Sequence, residues 1–435
     1  MSISPFEQRY TTKMNDIFDD KNKYSKWMDV EIALAKAHFL IGNISKKEYE
    51  EIKNAKEKVK PERIVKIENE IHHDLMAMVK AMAEQAGNSG GKIHLGATSY
   101  DIEDTATALI FKDAVGLLEN NLIQFSKLLK KLALEHKKTV CIGRTHGQHA
   151  TPTTYGMKFA LYYQEAKRNL ERLAECKKRI LVGKMSGAVG TGATFGEDKE
   201  KLEKIVMDEL GLALAKITTQ VIQRDRHAEV LSVVSLVASM LEKIAKEIRN
   251  LQRTEILEIG ESFGKKQVGS STMPHKRNPH KSERVCSLAR IVRANLSVAY
   301  ENIALEHERD LTNSANERII FSQMFIGTDY MLEQMHKILE TLEFYPENMK
   351  RNLEMTNGLI MAERIMIALI KKGIGRQNAH ELIREASQRA FAENRHLRKE
   401  IEKLNKFSEK ELEDLFDYKG YIGNAKRIVE DAVKD

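Results

Sequence analysis

Where proline is missing constrains this chain more than any motif in it. The 435 residues contain six prolines, at Pro5, Pro61, Pro152, Pro274, Pro279 and Pro346. None falls between Pro152 and Pro274, and none between Pro279 and Pro346. A proline inside a helix removes a backbone donor and clashes with the preceding turn, so gaps this long permit helices of many turns. The apolar pattern agrees. Across Ala106 to His136, residues such as Leu109, Val115, Leu118, Leu122, Phe125, Leu129 and Leu132 recur at helical spacing with charges between them. Thr154 to Leu181, Ala228 to Ile259 and Ser282 to Glu306 have the same texture, while alternating strand patterns are scarce. The expectation is an all-α protein with a central long-helix bundle.

Shorter helices flank that centre. The N-terminal part predicts helices over Ser25 to Ile41, Ser45 to Lys58 and Pro61 to Glu84, with Ser25 and Ser45 as N-caps and Glu48 completing a capping box with Ser45. The glycine-rich run Gly87 to Gly96 closes it, and Gly373 and Gly375 punctuate short helices near the C-terminus. At roughly 100–200 residues per domain, two to four domains are expected. The expected division is an N-terminal helical domain over 1–98, the bundle over 99–354 and a small helical domain over 355–435.

Several classes are disfavoured. The net charge of +7 is spread among interleaved acids and bases, which reads as a solvated surface rather than a nucleic-acid footprint. A few local Arg and Lys can still dominate one cleft and favour a small anionic substrate. Cys141, Cys176 and Cys286 are odd in number, far apart and without a CxxC pair, which argues against a disulfide scaffold or zinc ribbon and for a reducing cytoplasm. MSISPFEQRYTTKM has no apolar signal core, and Val230 to Leu241 is too short to span a bilayer.

Four segments interrupt the helical texture with polar side chains. They are IHHD (71–74) with HLGATSYD (94–101), GRTHGQHATPTT (143–154), QVIQRDRH (220–227), and GSSTMPHKRNP (269–279) with Lys281 to Arg284. His146 and His149 are too close in sequence for the usual zinc pair, which has three to five residues between its histidines. GKMSGAVGTGATFG (183–196) lacks both the P-loop ending and the GxGxxG spacing, so a compact turn is expected. A histidine flanked by Thr and Gly suits general acid–base work near neutral pH. Lys276, Arg277, Arg284, Arg309 and Arg318 suit carboxylates or phosphates.

GSSTMPHKRNP resembles the GSxxMPxKxNP signature loop of the fumarase/aspartase superfamily, with Gly269, Ser270, Met273, Pro274, Lys276, Asn278 and Pro279 at every fixed position. GRTHGQHATPTTYG, SGAVGT, TTQVIQRDRHAE, EHERDLTNSANERI, Arg9-Tyr10 and FYPENMKRNL narrow the resemblance to the adenylosuccinate lyase family, from about residue 9 to beyond 420. The resemblance implies a homotetramer of three-domain all-α subunits whose central helices form a twenty-helix core. Each active site would draw on three subunits, and no metal or organic cofactor would be needed. The implied reactions are elimination of fumarate from adenylosuccinate, giving AMP, and from the succinylated ribotide SAICAR, giving AICAR.

The same resemblance implies the residue roles. Ser270 would be the general base, with Ser271 the neighbouring alternative, and His146 the general acid oriented by Glu283. His73 would support His146 or the substrate phosphate, beside Asp74. His72 stands where many members carry Arg. His94 matches a second site histidine. Thr98, Ser99, Lys276 and Asn278 would bind the succinyl carboxylate or phosphate, with Met273 in the same loop, and Gln220 the substrate amide or carboxylate. Arg9, Tyr10, Arg284, Arg309, Ser314 and Arg318 match nucleotide- and phosphate-binding positions.

Overall fold

The computed structural model describes residues 4–264 and 272–434. It is 69% helical. The elements that matter here are α1 (Asp20–Leu40), α2 (Lys46–Ala55), α3 (Pro61–Ile71), α4 (Asp74–Ala86), α5 (Ser99–Glu135), strands β1 (Val140–Thr145) and β2 (Gln148–Thr154), α6 (Tyr155–Ile180), α7 (Asp225–Leu251), α8 (His280–Glu301) and α9 (Ser314–Glu340). The long helices α5 to α9 run 22 to 37 residues and occupy the proline-free stretches.

Three local expectations change. Ser25 lies inside α1, which starts five residues earlier because the Asp19 side chain accepts the Asn22 N–H. Ser45 does cap α2, and its capping box with Glu48 is formed. The expected single helix over Pro61 to Glu84 is two, because His72 turns left-handed at φ 56° and ends α3, and the His73 ring then caps α4. GRTHGQHATPTT, the third departure, is an antiparallel hairpin with Thr145 paired to Gln148.

Contacts divide the chain into two compact units. One comprises Met1–Ile123, Arg168–Leu241 and Ser287–Glu333; the other comprises Gln124–Lys167, Glu242–Cys286 and Gln334–Asp435. In the first, α1, α2, α3 and α4 pack around Trp27, Leu34, Ile52, Ile64, Leu75 and Met78, together with Leu109 of α5 and Leu202 and Val206 of the helix Lys199–Leu210. In the second, the core gathers Ile142 of β1 with Leu353, Ile360, Ile365, Ile383 and Leu397. Among the described residues no helix is long and apolar enough to cross a membrane.

Candidate active site

In the second unit, His146 and Gly147 form the two-residue turn between β1 and β2, with φ of 54° and 74°. Positive φ at both central residues defines the type I′ turn, whose twist matches a tight hairpin. The turn leaves the His146 side chain exposed at the tip. Beneath it Glu258 is fully buried. Its carboxylate accepts from Arg144 Nη2 at 2.6 Å, Tyr155 hydroxyl at 2.9 Å and Asn352 Nδ2 at 2.9 Å. These bonds tie both ends of the hairpin to one buried charge.

The signature loop belongs to the same unit. Ser270 and Ser271 lie outside the described residues. Met273 and Lys276 are exposed, and the Lys276 N–H donates to the Met273 carbonyl at 3.0 Å in a turn. Where the loop enters α8, the buried Glu261 carboxylate accepts the Ser282 N–H at 2.6 Å and caps the helix, and Gln252 Nε2 donates to the Arg277 carbonyl at 3.1 Å. Asn278 and Arg284 are half-buried on either side of this cap, and Glu283 is exposed on the first turn. Among the described residues, His146 and Glu283 share no hydrogen bond or ion pair within one chain.

The remaining site residues belong to the first unit and fall into three clusters and one outlier. The first cluster surrounds a cavity of about 460 Å³ lined by Tyr24, Trp27, Asp74, Glu103, Ser314 and Arg318, among others. Asp74 Oδ2 meets Arg318 Nη1 at 2.7 Å. Burial alone would raise the Asp74 carboxyl, but the Arg318 guanidinium more than offsets it and holds the group below the ordinary carboxylate range. Glu103 goes the other way, pushed up to about 8 by burial and by the Asp74 charge. His72 and His73 occupy the turn that delivers Asp74 to this cavity.

The second cluster joins Gln220 to Arg309. Arg309 Nη1 donates to Gln220 Oε1 at 2.8 Å, and Gln220 Nε2 donates to the Ala188 carbonyl at 2.8 Å. The Arg309 guanidinium lies 3.9 Å from the centre of the Tyr100 ring, a cation–π contact that carries it to the first turn of α5. The cleft beside Gln220 and Arg309 has a volume of about 440 Å³.

The third cluster is the turn His94 to Ala97, closed by the Ala97 N–H donating to the His94 carbonyl at 3.3 Å. It brings His94 next to Thr98 and Ser99 at the start of α5. Asp101, in the first turn of that helix, accepts the Thr98 N–H at 2.9 Å and the Ser186 N–H at 2.9 Å, and it forms a wholly buried ion pair with Lys184. SGAVGT is thereby fixed to the start of α5, a compact turn as expected.

Arg9 and Tyr10 stand apart. The Tyr10 ring packs on Tyr330 with centroids 5.2 Å apart. Tyr330 lies sixteen residues along α9 from Ser314, about 24 Å at 1.5 Å per residue.

Sequence reasoning missed the residues that support these clusters. Arg224, within the polar segment QVIQRDRH, is a buried clamp. Its guanidinium donates to Asp104 at 2.8 and 2.9 Å and to Glu317 at 3.0 Å, joining α5 to α9. Glu31, Lys184 and Glu258 were missed as well, each a lone charge among apolar neighbours, as in VEIALA, VGKM and LEIG, and that was the available signal. Asp101 and Glu261 carry no such signal, because SYDIED and IGES set them among other polar residues.

A family profile described as "Lyase" matches residues 7–293, and one described as "Adenylosuccinate lyase C-terminus" matches 358–432. The chain is 53% identical to the adenylosuccinate lyase of Pyrococcus horikoshii, over 100% of this chain and 98% of that protein. It is 48% identical to the adenylosuccinate lyase of Methanocaldococcus jannaschii, over 100% and 96% respectively. Among solved structures, the 3-carboxy-cis,cis-muconate lactonizing enzyme of Pseudomonas putida superposes with a TM-score of 0.92 at 34% identity, covering 98% of each chain.

Proposed function

Because this chain belongs to the adenylosuccinate lyase family, we propose that it eliminates fumarate from adenylosuccinate and from SAICAR, with His146 as general acid and Ser270 as general base. The observation that carries the reaction is the identity with proteins of that name along the whole chain. The residue roles rest on the signature loop and on the exposed position of His146 at the hairpin tip.

The chemistry sets two demands. A proton must leave the carbon beside a succinyl carboxylate, placing further negative charge on an existing anion. The C–N bond must then break, its electron pair going to a ring-conjugated nitrogen that needs a proton to depart. Ser270 takes the first proton as the C=C bond forms, and His146 supplies the second. Lys276 and Asn278, with Thr98 and Ser99, bind the carboxylates and stabilise the developing charge. Glu283 orients His146, and His73 supports it or the phosphate. A serine can act as base only when ionised, and the positive charge of Lys276 in the same loop favours that.

The enzyme works in the cytoplasm as a homotetramer whose active sites are shared by three subunits. One observation supports the sharing and another the assembly. Tyr10 and Ser314, both assigned to the nucleotide, are separated by most of the length of α9, several times the width of a phosphate. Leu236 of α7, Ile291 of α8 and Ile319 of α9 are also about half exposed (46%, 47% and 53%), as side chains that pack against a second copy would be.

The test is turnover of both succinyl nucleotides, followed by ultraviolet absorbance, by the wild type and by Ser270→Ala and His146→Ala. Wild-type conversion with both variants reduced by orders of magnitude is expected. A folded wild type inactive on both substrates would instead favour a superfamily lyase for another succinyl adduct. Near-normal turnover by Ser270→Ala would remove that serine as the base.

A further inference from the structure

His94 is held in an unusual way. Its backbone is left-handed at φ 64°, a conformation a non-glycine residue adopts only when its surroundings fix it. One side chain does so twice. Glu31 of α1 accepts the His94 backbone N–H through Oε2 at 3.0 Å and the ring Nδ1–H through Oε1 at 2.6 Å. The Glu31 side chain is fully buried, between Val30 and Ala33 of the apolar core, and among the described residues no Lys or Arg pairs with it. A buried carboxylate without a counter-charge is costly, so the charged imidazole is the compensating group. The loop is held from a second side, where buried His38 bonds the Leu95 carbonyl through Nε2 at 2.9 Å and meets Asn43 through Nδ1 at 3.0 Å.

With Nδ1 committed to Glu31, ring Nε2 has no partner among the described residues. Thr98 and Ser99 follow within one turn of chain. We propose that Glu31 is a positioning residue that holds His94 as an oriented imidazolium, leaving Nε2–H to bind an anionic group, carboxylate or phosphate, of the succinyl nucleotide. The assignment rests on the lyase reading above.

The charged groups facing His94 are Glu31 from α1 and Asp101 and Glu103 from α5. Burial works against a charged ring, but the Glu31 bond and charge outweigh it and raise the His94 pKa above the ordinary imidazole value. Removing the Glu31 charge while keeping the side chain's shape lowers it again. His94 then loses its proton within the neutral range, and anion binding weakens as pH rises.

Two measurements test this on the full-length enzyme. In NMR titration, with the His94 signal assigned by His94→Asn, Glu31→Gln is expected to lower the His94 midpoint by about one pH unit or more. In kinetics, Glu31→Gln is expected to raise KM about tenfold at pH 8 and much less at pH 6, with kcat changed less than KM. A midpoint that does not move, or a uniform loss independent of pH, overturns the proposal. Glu31→Asp, which keeps the charge, is expected to retain the wild-type pH profile and serves if the Gln variant does not fold. The NMR arm needs no turnover, so failure of the lyase reading would appear separately, as an inactive wild type with the pairing intact.

Discussion

Tyr10 packs against Tyr330, and Ser314 begins the same helix sixteen residues earlier. If Arg9 and Tyr10 grip the nucleotide held by Ser314 and Arg318, they grip one bound to another subunit. Arg9→Ala and Arg318→Ala homotetramers should each be nearly inactive. Mixed and allowed to exchange subunits, they should recover on the order of a quarter of wild-type activity, since that share of sites would draw both residues from intact copies. Confirmed exchange without recovery would place both arginines in one chain's site.

The long helices were legible because proline gaps and apolar spacing are local properties. The hairpin was not. Its strands are rich in Thr and polar residues rather than alternating, its turn is His-Gly rather than Asn-Gly, and Pro152 sits in β2, which only a two-stranded edge tolerates. The break at His72 lacked a glycine or proline to announce it. Motif resemblance found the residues expected to touch substrate but not those that hold them. Glu31 lies 63 positions from His94 and Glu258 lies 114 from Arg144, and no local pattern encodes such pairings.

The hairpin turn makes a second prediction. At φ 74°, Gly147 has open space for a side chain but a backbone conformation that L-residues resist. Gly147→Val should strain the turn by about 1–2 kcal/mol and shift His146. Glu258 still anchors the strands, so the protein should fold with an unchanged circular dichroism spectrum. The kcat should fall on the order of a hundredfold, the effect of misplacing a catalytic group by about 1 Å. Gly147→Asn, which tolerates positive φ, should lose much less.

Lys184 and Asp101 are both wholly buried, and their ion pair fixes SGAVGT to the start of α5. Removing one partner strands the other charge. Lys184→Met should destabilise the protein by about 3–5 kcal/mol. Adding Asp101→Asn removes the stranded charge and should recover part of that loss. Chemical denaturation of the two variants compares them directly, and a double variant no more stable than the single would show that the carboxylate matters for its backbone N–H bonds rather than for its charge.

Glu103 makes stability depend on pH in a direction opposite to the usual carboxylate. Burial first, and then the Asp74 charge, push it from 4.5 to about 8, with Arg318 opposing. Between those values the unfolded chain has released the proton and the folded chain has kept it. The unfolded state therefore binds fewer protons, and stability falls as pH rises through this window, levelling off above about 8. Glu103→Gln keeps the neutral form at every pH and should abolish this part of the slope. The variant's thermal midpoint relative to wild type should rise steadily from pH 5 to pH 8. Ionised Glu103 also places a second negative charge near Asp74 and Arg318, so wild-type KM for the succinyl nucleotide should climb above pH 8 while that of Glu103→Gln stays flatter. Parallel KM profiles for the two proteins would mean that the anionic end of the substrate binds away from this cavity.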